Sequence, residues 1–73
     1  MAPETPTERT AVVMARLVRG DSLTPGDLMR LTGLTRESTY RLMYNISRVQ
    51  PLVLHEGRWQ MLEFVLMVDT QTR

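Results

Sequence analysis

The run Thr32-Gly33-Leu34-Thr35-Arg36-Glu37-Ser38-Thr39-Tyr40-Arg41-Leu42-Met43 decides the fold, because a glycine break in it separates two helical patterns. To its left, Thr24-Pro25-Gly26-Asp27 is a helix start, with a hydroxyl cap, Pro at the first helical position and an acid at the third. A short helix over about Pro25 to Leu31 follows, with Leu28, Met29 and Leu31 as its apolar residues. To its right, Thr35 caps a longer helix reaching about Arg48, with Ser38 at the third position. Two helices meeting at roughly 90–120° need a backbone position that tolerates φ > 0, and Gly33 supplies it. Leu34 is expected to plug the angle between them, braced by Leu28 and Leu42. In the longer helix Thr39, Leu42, Met43 and Ile46 point one way, and Glu37, Tyr40, Arg41, Tyr44 and Arg48 the other.

Working outward, residues 1–5 read as a flexible, Pro-containing arm. Thr5-Pro6-Thr7-Glu8 then repeats the capping signal and opens a helix to about Arg19. Its apolar stripe is Thr10, Val13, Met14, Leu17 and Val18, and Gly20 supplies the left-handed stop. Leu23 stands alone as a strand of one or two residues. On the other side, Pro51 ends the longer helix. Leu52 to His55 reads as a strand, Glu56-Gly57 as a tight turn and Arg58 to Met61 as the return strand. Residues 6–61 thus form one domain, mainly α with a small β-hairpin. Leu62 to Val68 is almost continuously apolar and fits a strand or a fourth helix. Its β-branched and aromatic content tilts the expectation toward an extended form.

Composition sets the bounds. Seventy-three residues leave room for a single domain with a small core. The chain has no Cys and one His, which excludes a disulfide framework and an intrachain zinc cage. No apolar run approaches the ~20 residues of a membrane span, and no secretory signal pattern is visible, so a cytoplasmic protein is expected. All nine cations are Arg. They are unevenly placed, with net charge −1 over residues 1–29, +3 over 30–58 and −1 over 59–73. That middle suits a polyanion, with the flanks turned away.

At these residues the chain resembles the winged helix-turn-helix transcription regulators, most closely the IclR-type N-terminal domain, with MarR-type domains next. The resemblance covers about residues 7 to 61. It implies three helices plus a wing, the third helix in the major groove of double-stranded DNA and the hairpin on the backbone. It also implies a bacterial or phage repressor or accessory protein associated with the nucleoid. Two departures stand out. Thr39 occupies a core-facing position that the family usually fills with an aliphatic residue. The large effector domain of IclR-type regulators has no counterpart in this length of chain.

The chemistry of the third helix points the same way. Thr35 and Ser38 offer hydroxyls, and the helix N-terminus offers N–H groups, to phosphate oxygens. Arg36 lies in the first turn, where a guanidinium can address guanine O6 and N7. It sits against the helix dipole, at a cost of about 0.3–1 kcal/mol. Glu37 can accept from cytosine N4, while Tyr40, Arg41, Tyr44 and Arg48 extend the face. Arg58 beside the turn is the expected hairpin contact, with His55 across from it. Five central arginines on phosphate would give a log–log salt slope of roughly −4 to −5. Trp59 is expected in the core.

No nucleophile–base pair, phosphate-cradling glycine loop or metal triad is present, so neither enzymatic activity nor a cofactor is expected. Residues 62–73, through Phe64, Leu66 and Val68, are expected to form a homodimer surface. The alternative function is a protein-interaction module that keeps the scaffold and docks a protein partner through this apolar run.

Overall fold

The computed structural model describes residues 3–71, with side chains described through residue 67. Four helices and one hairpin follow in the order α1 (Pro6–Val18), α2 (Pro25–Thr32), α3 (Arg36–Ser47), β1 (Leu52–His55), β2 (Arg58–Met61) and α4 (Leu62–Gln71). The helix starts follow the hydroxyl caps. Thr5 accepts from the Glu8 N–H at 3.1 Å. Thr24 and Asp27 form a reciprocal capping box, and Thr35 accepts from the Ser38 N–H at 3.3 Å. Each cap satisfies a backbone donor that the helix itself leaves unpaired.

The elbow between α2 and α3 rests on two adjacent residues. Gly33 takes φ 73°, and its N–H donates to the Met29 carbonyl at 2.9 Å. Thr32 is buried, donates its hydroxyl to the Leu28 carbonyl at 2.7 Å and accepts from the Leu34 N–H at 3.3 Å. The left-handed glycine turns the chain, and the threonine locks the turn into the end of α2. Leu34 is half-buried, and Leu28 lies fully in the core.

One core serves the whole domain. Val13 and Leu17 of α1, Leu23, Leu28 of α2, Met43 and Ile46 of α3, and Trp59 and Met61 of β2 are its buried members. Leu23 reaches it through a single antiparallel bridge to Trp59, with N–H to carbonyl bonds of 2.9 and 2.8 Å in both directions. Val18, expected on the inward stripe of α1, is 56% exposed. The stripe closes one residue earlier, at Leu17, because Val18 lies at the end of the helix where no neighbouring element covers it.

The hairpin is antiparallel, with Leu52 opposite Met61 and His55 opposite Arg58. Both turn residues have positive φ, 53° at Glu56 and 76° at Gly57, as a two-residue type I′ connection requires.

The segment after Met61 corrects the extended expectation: Leu62 to Gln71 is helical. The register explains why. The next pair beyond Leu52 and Met61 would be Pro51 with Leu62, and Pro51 has no N–H to give a ladder. The Leu62 N–H still makes its half of that pair, donating to the Pro51 carbonyl at 2.8 Å, and this closes the base of the hairpin. Past that point a strand would have no partner, whereas a helix satisfies its own backbone. α4 packs mainly against β2. The Phe64 ring lies against Gly20, where a Cβ would stand 3.4 Å from it.

Two buried threonines differ in their hydrogen bonding. Thr32 is satisfied, but Thr39 is 2% exposed and its Oγ1 has no hydrogen-bond partner. An unmet buried hydroxyl costs about 1–3 kcal/mol. Thr39→Val keeps the shape and removes the hydroxyl, so it should stabilise the fold by about 1–2 kcal/mol. Thermal denaturation followed by circular dichroism checks this, with a rise of about 4–8 °C expected per kcal/mol. An unchanged or lower midpoint would mean the hydroxyl is satisfied in solution.

The capping box makes stability pH-dependent. The Asp27 carboxyl is held below its ordinary value of 3.8, first by the Thr24 backbone N–H, then by the Thr24 side chain and by Arg30. A group whose folded pKa is depressed contributes fully above its unfolded pKa, and the contribution is lost as pH falls through the folded value. Stability should therefore decline below about pH 4. Asp27→Asn retains an acceptor for Thr24 but cannot titrate, so its melting temperature should fall less steeply in acid than that of the wild type.

Candidate nucleic-acid interface

The outer stripe of α3 carries Glu37, Arg41, Tyr44 and Arg48 at successive spacings of four, three and four, with Arg36 at its head. All five are exposed. Helical geometry puts residues at these intervals on one surface. Thr35 and Ser38 stand at the N-terminus of α3 with their cap hydrogen bond in place.

Tyr40, expected on the same stripe, is half-buried and packs against the core. It follows Thr39 and precedes Met43 by three, which places it at the margin of the buried face. Tyr44 is 62% exposed, and its ring meets Trp59 edge-on at 6.1 Å and 84°. That contact joins the outer stripe of α3 to the hairpin, so the two are held beside each other. Arg58 and His55, opposite one another in the hairpin, are both exposed.

The distribution of ion pairs separates the arginines into two groups. Arg16 and Arg19 both pair with Asp21, at 2.9 and 3.0 Å, and Arg30 pairs with Asp27. The Asp21 carboxyl is correspondingly lowered, chiefly by its hydrogen bond from Arg19. Arg41 has only a loose partner, Glu37 at 3.7 Å, and both side chains are largely in solvent. Arg36, Arg48 and Arg58 have no carboxylate within ion-pair distance among the described residues. Apart from Arg9, positive charge on the α1–α2 side is internally neutralised, and on α3 and the hairpin it is not.

One cation escaped the sequence reading. Arg9 of α1, counted with an acidic flank, lines a shallow groove of about 350 Å³ with Ser38, Arg41, Leu42 and Asn45 of α3 and with Leu34. Periodicity along α1 says that Arg9 leaves the main apolar stripe, but not which helix it then faces.

Phe64 is turned onto the core, so it is only half available to another molecule. Leu66 is exposed, as are Met67 of the same run and Leu62 just before it. The Val68 side chain lies outside the described residues. Among the described residues no group of three or more His, Asp or Glu could hold a metal ion, and no helix is long and apolar enough to cross a membrane. No family model, curated protein or solved structure matches the chain.

Proposed function

We propose that the protein is a winged helix-turn-helix module that binds double-stranded DNA as a small transcription regulator. In this reading α3 enters the major groove and the β1–β2 hairpin lies on the backbone. The observation that carries the reading is the segregation of unneutralised arginine: Arg36, Arg41, Arg48 and Arg58 are exposed with no carboxylate or only a loose one, and Arg9 beside α3 has none among the described residues, while Arg16, Arg19 and Arg30 are paired. Exposed guanidinium groups on a helix beside a hairpin suit phosphate oxygens and guanine edges.

Pairing of Arg30 with Asp27 revises the expected salt dependence. With Arg36 on a base edge, Arg41, Arg48 and Arg58 on phosphate would give a slope of about −2.7 per bound protomer in a plot of log affinity against log salt. Fluorescence anisotropy of a labelled duplex across a KCl series measures it. A slope near zero, or no binding at low salt, would remove DNA as the ligand.

A single module of this size buries only roughly 600–1,000 Å² on DNA, so two copies on adjacent half-sites are proposed. Exposed Leu62, Leu66 and Met67 of α4 are the residues that favour pairing there. The same exposure favours the second reading, a module that docks a protein partner through α4. Protein binding that ignores Arg36 and Arg41 would select it.

A further inference from the structure

We propose that the groove between the first turns of α1 and the flank of α3 seats a phosphate of the duplex backbone, held by Arg9 from one side and Arg41 and Ser38 from the other. This rests on the DNA reading and adds to it a contact outside the recognition helix. Three observations support it.

First, the groove brings two arginines from different helices to one concavity, with Ser38 and Asn45 as further polar residues and Pro6, Leu34 and Leu42 as its apolar lining. The cations repel each other, and an anion between them relieves that repulsion. Second, Arg9 is under-partnered. Its Nη2 donates to the Glu4 carbonyl at 3.1 Å, and its Nε is buried with no partner at all. A buried unmet donor in a native fold calls for a compensating ligand or ion. Third, the neighbouring acid is poorly placed to compete. Glu37 stands 3.7 Å from Arg41, beyond good hydrogen-bond length, and is 87% exposed. The groove is also continuous with the outer stripe through Arg41, so a strand whose bases meet α3 would pass its phosphates over this point.

The ligand chemistry is a phosphate oxyanion, and two sources present it: the duplex backbone and a free phosphate group. The experiment separates them. Wild type, Arg9→Gln and Arg9→Lys are titrated with labelled duplexes of several sequences across a KCl series. In parallel, inorganic phosphate is added to the wild type while its Arg9 Nε–Hε resonance, assigned by its absence from both variants, is followed by NMR. One lost phosphate contact reduces the slope by about 0.9, and Arg9→Gln should show that change with affinity falling evenly across all duplexes. Arg9→Lys should recover the slope, because charge alone suffices for counterion release. Wild-type slope and affinity in Arg9→Gln, with binding still weakened in Arg36→Ala, would overturn the groove assignment and leave the DNA reading standing. No duplex binding by the wild type would overturn both. A phosphate-dependent shift of the Arg9 resonance, with the DNA slope unchanged in Arg9→Gln, would assign the groove to a free phosphate and overturn the backbone contact.

Discussion

Arg36→Ala should weaken duplex binding by about 1–3 kcal/mol, or roughly 5- to 150-fold, while leaving the fold slightly more stable. The two effects have separate causes. Arg36 is the first residue of α3, exposed and without an ion-pair partner among the described residues. Nothing in the folded chain gains from its charge. A cation in the first turn opposes the helix dipole by about 0.3–1 kcal/mol, and alanine removes that opposition. On DNA the same guanidinium is positioned to address a base edge, so its loss should relax preference at one base pair more than it alters the salt slope. Selection from a random duplex pool with wild type and variant side by side reads the preference, and thermal melting reads the stability. Equal affinity and equal preference in the two proteins would remove Arg36 from the interface. Lower affinity with a lower melting temperature would instead mark Arg36 as structural.

Trp59→Ala should remove at least about a quarter of the domain's stability. Trp59 is 5% exposed, bridges Leu23 through both backbone hydrogen bonds and supports the ring of Tyr44. Truncating a buried tryptophan costs about 3–5 kcal/mol. At roughly 0.05–0.15 kcal/mol per residue the whole domain has only about 4–11 kcal/mol to lose. The melting temperature should drop by more than about 12 °C. DNA binding should fall in parallel, because Tyr44 and the hairpin lose their common support. A variant that melts within a few degrees of wild type would show that the core closes without this ring.

Much of the architecture was readable because local chemistry determined it. Hydroxyl caps at Thr5, Thr24 and Thr35 set the helix starts, and Gly33 set the elbow. Glu56-Gly57 fixed the hairpin register, and Leu23 stood out as an isolated apolar residue before a cap. What could not be read depended on partners distant in the chain. Whether Leu62 onward paired or coiled turned on Pro51 lying opposite it, a register fact and not a composition fact. Tyr40 and Phe64 resist placement from sequence for a similar reason: each sits at the border of an apolar face, and only the neighbouring element decides which side it joins. For the candidate interface, the arginines of α3 were visible from spacing. Withdrawal of Arg30 into an ion pair and the arrival of Arg9 beside α3 required the packing of three helices.

The closure of the hairpin base by Leu62 and Pro51 has a mechanical side. β2 passes into α4 with no intervening residue, and the Leu62 to Pro51 hydrogen bond ties that junction to the start of β1. Any torque applied to the C-terminal rod reaches the Glu56–Gly57 tip with little slack to absorb it. Whatever grips that rod, a twin copy or another polypeptide, thereby also steers the angle at which the tip is presented.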